Sequence, residues 1–112
     1  MLNLNCYRPN GGRDAYGRYA EVALRVLDRI GGRVLWQAPA IRTVIGDDSD
    51  LYDEVIAVWY PNLAAFVELG TDPELLAARE DRVAGLERAA LICCGSGPEA
   101  VLAQARDFGV HA

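Results

Sequence analysis

The segment formed by residues 53–66, DEVIAVWYPNLAAF, constrains the fold of this chain more than any other part. It is the longest apolar run in the sequence, and after Pro61 its apolar residues recur at the spacing of a helix. Such a run predicts a buried strand that turns into a helix. The segment carries no nucleophile, metal cluster or complete phosphate-binding loop. The sequence is therefore more informative about the fold than about the activity.

Composition and charge limit the classes of protein to which the chain could belong. Its 112 residues, 52% hydrophobic and 24% charged, are typical of one globular domain. No apolar run approaches the about 20 residues that a membrane-spanning helix requires, and the first residues lack a secretory signal pattern. The net charge is -5, and the basic residues are scattered arginines. We expect a cytoplasmic domain that binds neither nucleic acid nor membrane.

The cysteines and the single histidine argue against a metal centre and against a site that depends on histidine. Cys6, Cys93 and Cys94 are odd in number and have no C-x-x-C spacing, unlike a disulfide framework or a zinc site. We expect them to be small buried hydrophobic residues, with a reactive thiol as the alternative. His111 is the penultimate residue, and the acidic residues 47–50 lack the glycine and spacing of a calcium loop. We predict no metal and no cofactor.

The order of the predicted elements defines a fold class. The patterns predict strands at residues 2–8, 33–46, 53–60 and 87–94, a helix at 14–30, and a helical region from residue 63 that restarts at Pro73. Asp14 is a candidate cap of the first helix, and Pro39 marks an edge strand or a bulge. The β-α-β-β-α-β order is the ferredoxin-like arrangement, a four-stranded antiparallel sheet with both helices on one face. We assign residues 1–95 to this α+β domain and 96–112 to a C-terminal tail with a short helix.

The predicted strands are apolar on both faces, although two helices can cover only one face of the sheet. Val55, Ala57 and Trp59 alternate with Ile56, Val58 and Tyr60, and residues 89–94 show the same double pattern. An uncovered apolar face of this size calls for a partner. We therefore expect a homodimer in which two sheets form a dimeric α+β barrel.

Three segments resemble, in order, the signatures of one small bacterial family. They are GGRVLWQAPAIRTVIG at residues 31–46, VIAVWYPNLAAF at 55–66 and DPELLAAREDR at 72–82. The chain resembles an uncharacterised domain-of-unknown-function family, 1330-like, within the dimeric α+β barrel superfamily. The resemblance implies the ferredoxin-like fold and singles out Arg82 as the arginine two turns after the Pro-Glu helix start. The superfamily also includes cofactor-independent monooxygenases, haem-degrading enzymes and small isomerases, which implies activity only by analogy.

Two arginines fall on the helix face that is expected to meet the core. At 100° per residue, Arg79 and Arg82 share a stripe with Leu75 and Leu86. One interpretation is that the guanidinium groups point into a cleft between helix and sheet and bind a carboxylate or phosphate. The alternative is that they pair with Glu54, Glu80 or Asp81, or keep their charged ends in water.

A second set of candidate ligand-binding residues is polar or aromatic, suited to stacking on or hydrogen-bonding a planar ligand. Its members are Asn3, Asn5, Tyr7, Tyr19, Trp36 and Trp59. The alternative is that these side chains are simply part of the core. Residues 95–100, GSGPEA, match the pattern of a dinucleotide-binding loop, but too few residues follow for the next strand, so that a helix cap is the better interpretation.

Three functions remain open at this point. The first is the binding of a small anionic or aromatic metabolite between the second helix and the sheet, with Arg79 and Arg82 as anchors. The second is a cofactor-independent monooxygenase or isomerase with Asn5, Tyr7, Tyr19 and Trp36 around the substrate. The third is a structural dimerisation module without a ligand.

Overall fold

A computed structural model describes residues 1–95 of the chain. Its elements are β1 (Leu2–Tyr7), α1 (Gly12–Arg29), β2 (Arg33–Pro39), β3 (Glu54–Trp59), α2 (Leu63–Thr71), α3 (Pro73–Ala77), α4 (Arg79–Gly85) and β4 (Leu86–Ile92). A single 3-10 turn, Asp48–Asp50, lies in the long connection between β2 and β3. The predicted tail helix and the GSGPEA loop lie almost entirely outside the described residues.

The four strands form one antiparallel sheet in the order β2-β3-β1-β4. This order confirms the predicted α+β class with a four-stranded antiparallel sheet, and it is consistent with a ferredoxin-like arrangement. Strands β2 and β3 pair antiparallel on either side of the acidic residues 47–50, and β2 lies at the edge of the sheet, as Pro39 suggested. In residues 1–95 no helix has both the length and the apolar character needed to cross a membrane.

The register of the strands defines two faces of the sheet. Opposite Asn3 and Asn5 of β1 lie Ile56 and Glu54 of β3, so that these side chains share one face. The helices pack on this side, which we call the inner face. The other side, the open face, carries apolar residues of all four strands: Leu2, Leu4, Trp36, Val55, Ala57, Trp59, Ala90 and Ile92.

A bulge in β2 decides which of its side chains reach the inner face. Val34 lies opposite Val58, but Trp36 lies opposite Ala57, so two residues of β2 span one residue of β3. Without the extra residue Trp36 would share the face of Val34. The bulge instead turns Trp36 to the open face and brings Gln37, opposite Ile56, to the inner face.

Helix α1 supplies most of the buried side chains of the helical layer. Ala15, Val26 and Leu27 are buried, and the charged residues of the helix lie on its exposed side, as in an amphipathic helix on a sheet. The helix begins after Gly11, so Asp14 lies in its first turn and the prediction of Asp14 as the cap was wrong. Its end is set by Gly31, which adopts the left-handed conformation with a φ of 82°.

The helical region after β3 consists of three short helices. The Asn62 side chain caps α2 by accepting a hydrogen bond from the backbone N–H of Ala65 at 2.8 Å. The restart predicted at Pro73 is confirmed, with the Asp72 side chain accepting from the Glu74 N–H at 2.9 Å. A further break at Ala78, which the sequence does not signal, separates α3 from α4.

Three expectations about the ends of the strands were wrong. Strand β2 ends at Pro39 and does not continue to residue 46, although the Ala40 N–H still donates a hydrogen bond to the Asp53 carbonyl at 2.9 Å. Leu86 is the buried first residue of β4, so it does not lie on the helix face that was predicted to carry it together with Arg79 and Arg82. Because β4 ends at Ile92, Cys93 and Cys94 follow the strand and are exposed, not buried.

Candidate functional site

A cavity of about 560 Å³ lies between the helices and the inner face of the sheet. All four strands and all four helices contribute to its wall, and most of the lining side chains are apolar or aromatic. Leu24, Leu76 and Leu91 line it and are each about half exposed. The protein's own side chains therefore leave unfilled a volume within the range of small-molecule sites, whereas cores are normally close-packed.

A buried polar cluster interrupts this apolar wall where β1, β2 and β3 lie side by side. The carboxylate of Glu54, a residue only 8% exposed, accepts a hydrogen bond from the Tyr7 hydroxyl and another from Gln37 Nε2 at 2.8 Å. Asn5, also buried, donates from Nδ2 to the Tyr7 oxygen at 3.5 Å. The Arg13 guanidinium lies 3.8 Å from Glu54 Oε2 and 4.6 Å from the centre of the Tyr7 ring. The cluster thus compensates a buried carboxylate with two donors and a nearby cation.

Three tyrosine rings connect this cluster to the helix α1 side of the cavity. The Tyr7 and Tyr16 ring centres are 5.4 Å apart, and those of Tyr16 and Tyr19 are 5.7 Å apart. Burial, together with the hydrogen bond to Glu54, raises the pKa of Tyr7 far above its ordinary value. At neutral pH its hydroxyl is therefore protonated and can donate to the Glu54 carboxylate.

Arg79 and Arg82 of α4 both line the cavity. Burial raises the pKa of Tyr19, and the positive charge of Arg82 acts on that pKa in the opposite direction. Within the described part of the chain, neither arginine forms an ion pair with a carboxylate. Two cations three residues apart on one helix are neighbours, so they repel each other.

Of the three carboxylates expected as possible partners of these arginines, Glu80 is exposed and forms no ion pair within residues 1–95, and the other two are bound to other groups. Glu54 is held by Tyr7 and Gln37 inside the sheet. Asp81 of α4 pairs with Arg18 of α1 at 3.1 Å. Arg79 and Arg82 are both exposed, so their guanidinium donors are open to water and to a ligand of the cavity.

Six of the eight predicted ligand-binding residues lie at the cavity or directly behind it. Asn3, Tyr7, Tyr19, Arg79 and Arg82 line it, and Asn5 is buried against the Tyr7 hydroxyl. The structure does not bring Trp36 and Trp59 to this group, because both lie on the open face and are 50% and 42% exposed.

The sequence interpretation missed four residues of the site: Arg13, Tyr16, Gln37 and Glu54. Alternation along β3 was the available signal for Glu54, because it places this residue on the same face as Ile56 and Val58. No sequence signal was available for Gln37, whose position depends on the bulge in β2. In residues 1–95 no group of three His, Cys, Asp or Glu side chains is placed to hold a metal ion.

Two solved structures of one bacterial protein are similar to this chain. RPA0582, a protein of unknown function from Rhodopseudomonas palustris, is 36% identical in sequence to this chain. Its crystal structure matches with a TM-score of 0.76, and the match covers 81% of this chain and 75% of that chain. The crystal structure of methylated RPA0582 matches with a TM-score of 0.79 and a sequence identity of 34%. This match covers 87% of this chain and 79% of that chain. No curated protein matches the chain.

A protein-family comparison covers the greater part of the domain. The family model described as "Domain of unknown function (DUF1330)" matches residues 11–96. This range includes α1, all three helices after β3, and the strands β2, β3 and β4. The chain belongs to the DUF1330 family.

Proposed function

We propose that this protein binds a small aromatic carboxylate in the cavity between its helices and its sheet. The observation that carries the proposal is the pair Arg79 and Arg82, which line an otherwise largely apolar cavity without an ion-pair partner in residues 1–95. A bidentate carboxylate would satisfy the guanidinium donors and relieve the repulsion between the two charges.

The remaining wall of the cavity suits the aromatic part of such a ligand. Tyr16, Tyr19, Tyr60 and Phe66 line it, and Tyr60 and Phe66 pack edge to face with ring centres 5.3 Å apart. Flat rings on a concave wall bury planar ligands well and can add edge-to-face contacts. A cavity of about 560 Å³ can accommodate one ring with a short acidic side chain.

The proposal is tested by comparing carboxylates with their neutral amides. We expect phenylacetate and 3-phenylpropanoate to raise the melting temperature, since a ligand of the folded state stabilises it, and the matched amides to raise it less. Arg82→Met and Arg79→Met should each weaken carboxylate binding about 10- to 100-fold by calorimetry, the loss expected for a charge-assisted hydrogen bond.

The control variant is Arg42→Met, because Arg42 is exposed in the loop after β2 and does not line the cavity. It should bind the carboxylates as the wild type does. Equal affinity for acids and amides, or equal losses in Arg82→Met and Arg42→Met, would contradict the proposal. A protein that binds none of these ligands would favour a structural dimerisation module.

An enzyme of the cofactor-independent monooxygenase or isomerase kind is the second candidate function. The specific observation in its favour is the ionisable pair of Glu54 and Tyr7 in the cavity wall. A binding protein does not require a buried carboxylate next to its ligand.

We also propose that the protein is a homodimer joined through the open face of the sheet. Trp36, Trp59 and Ile92 expose between 42% and 50% of their surface there, beside Leu2 and Leu4. Such a contiguous apolar surface favours pairing with an equal surface, and two copies related by a twofold axis provide one.

A further inference from the structure

The geometry points to Glu54 as a catalytic base that removes a proton from the carbon next to the ketone of a small aromatic 2-oxo acid. This inference rests on the proposed binding of an aromatic carboxylate in the same cavity. The proposed function requires only Arg79 and Arg82, whereas this inference assigns a reaction and a different residue.

The position of Glu54 in the sheet is not explained by packing. The next two residues of β3 on the inner face, Ile56 and Val58, are apolar and line the same cavity. Burying a carboxylate among them costs free energy, and apolar residues of similar volume in place of buried ion pairs are often neutral or stabilising. The nearest cation, Arg13, is 3.8 Å away and mostly exposed, so the pair is not a close ion pair. A role at the cavity explains why the site carries this cost.

The carboxylate keeps acceptor capacity for a substrate proton. A carboxylate offers about four lone-pair positions. Within the described residues Glu54 uses one on each oxygen, for Tyr7 at Oε1 and for Gln37 at Oε2. These two donors fix the orientation of the group, while Glu54 also contributes to the cavity wall. A base that is held in place and borders a largely apolar cavity is the arrangement that general base catalysis needs.

The reaction is balanced with groups present in the protein and its substrate. Glu54 takes the proton, the C–H electron pair becomes the C=C bond of an enolate, and the carbonyl π electrons move to the oxygen. Arg13, which lines the cavity beside Glu54, is placed to stabilise the negative charge on that oxygen. The proton then returns to the carbon, which gives exchange, or to the oxygen, which gives the enol. No oxidant, reductant or co-reactant is consumed.

The test uses phenylpyruvate, which carries an aromatic ring, a carboxylate and exchangeable hydrogens beside its ketone. We expect the wild type to accelerate exchange of these hydrogens in D₂O above the buffer rate, measured by proton NMR. Glu54→Gln should lower the enzymatic rate about 10²- to 10⁴-fold, the usual contribution of a general base. Glu21→Gln, an exposed position on α1, is the matched control and should keep the wild-type rate.

Benzoylformate separates binding from proton transfer, because it has the ring, ketone and carboxylate but no hydrogen on the adjacent carbon. Glu54→Gln should bind it with wild-type affinity, and Arg82→Met should not. If Glu54→Gln does not fold, Glu54→Asp keeps the charge but withdraws the base by about 1 Å, which should lower the rate about 10²-fold.

Tyr7 is a positioning residue in this account, since it acts through Glu54. Tyr7→Phe keeps the ring that contacts Tyr16 and removes the donor to Oε1. It should lower kcat and leave KM and benzoylformate affinity unchanged. A purely structural role would lower the melting temperature and leave kcat of the folded variant unchanged.

The two proposals fail in different ways. Absence of binding for phenylpyruvate and benzoylformate alike would overturn the binding proposal and this inference together. Binding of benzoylformate without acceleration of phenylpyruvate exchange would overturn only the assignment of Glu54. Exchange that is equal in the wild type and in Glu54→Gln would also overturn it.

Discussion

At the scale of single residues, the site contains tyrosines whose pKa values differ from those in an unfolded chain. Tyr60 lines the cavity, and burial, together with nearby Tyr19, raises the pKa of Tyr60 to about 12. The folded protein therefore holds this proton at a pH at which the unfolded chain, with a tyrosine pKa of about 10, has lost it.

This difference predicts how stability changes at alkaline pH. Above pH 10 the unfolded state binds fewer protons than the folded state, so the free energy of unfolding falls as the pH rises from about 10 to about 12. The chain has no lysine, and Tyr7 and Tyr19, whose pKa values are also raised, contribute to the same loss. The free energy of unfolding, measured with urea, should fall less between pH 8 and pH 11 in Tyr60→Phe than in the wild type. Tyr52→Phe, outside the cavity, should keep the full loss, and an equal loss in all three proteins would contradict the prediction.

The residue scale also shows why only part of the site could be predicted. Arg79 and Arg82 were identifiable because two cations on the apolar stripe of a helix are conspicuous. Trp36 was misassigned because its face depends on the bulge between Val34 and Trp36, which no glycine or proline announces. Glu54 was recognised only as a partner for an arginine. Its hydrogen bonds to Tyr7 and Gln37 depend on strand register, which a single sequence does not determine.

At the scale of elements, the start of α1 and the end of α4 meet at backbone distance. A Cβ atom on Gly85 would lie 2.7 Å from the backbone nitrogen of Tyr16 and 2.8 Å from the carbonyl oxygen of Gly12. The neighbouring ion pair between Arg18 and Asp81 joins the same two helices. This contact holds Tyr16 and the arginines of α4 around one cavity.

The close contact predicts a strong effect of a single methyl group. Gly85→Ala should lower the free energy of unfolding by about 1–3 kcal/mol, as overpacking does, and should weaken carboxylate binding because α4 must move. Gly17→Ala is the matched control, since a Cβ there meets nothing within 4 Å and alanine favours the helix. Chemical denaturation of both variants provides the measurement. Equal stability of Gly85→Ala and the wild type would show that the helices are not held at this contact.

Some boundaries of the helices could be predicted from the sequence, and one could not. The caps at Asn62 and Asp72 follow ordinary local rules, and the restart at Pro73 was predicted from them. The break at Ala78 has no local signal, because residues 75–82 all tolerate a helix. Tertiary contacts provide a physical reason: α4 has to reach α1 at Gly12, and a continuous helix would direct it elsewhere.

At the scale of the whole molecule, the sheet has one face covered by helices and one face exposed. The apolar residues of the open face come from all four strands, which is why alternation in the sequence predicted two apolar faces. The sequence could therefore predict an apolar face that the helices do not cover. It could not predict which tryptophans belong to that face.

The proposed dimer makes a specific prediction about the open face. Trp36→Glu should convert the protein to a monomer in size-exclusion chromatography with light scattering, because a carboxylate would be buried without a partner. Leu63→Glu is the control: Leu63 is 66% exposed at the start of α2, away from the sheet, and its replacement should leave the dimer intact. A wild-type monomer at micromolar concentration would contradict the proposal.

The central claim is that the cavity binds a carboxylate through the arginines of α4, and a crystal structure of the complex with 3-phenylpropanoate tests it most directly. We predict the carboxylate within about 2.7–2.9 Å of guanidinium nitrogens of Arg79 or Arg82, with the ring among the tyrosines of the cavity. A complex with the ligand outside this cavity, or with both arginines paired to acidic residues of the protein, would contradict the claim.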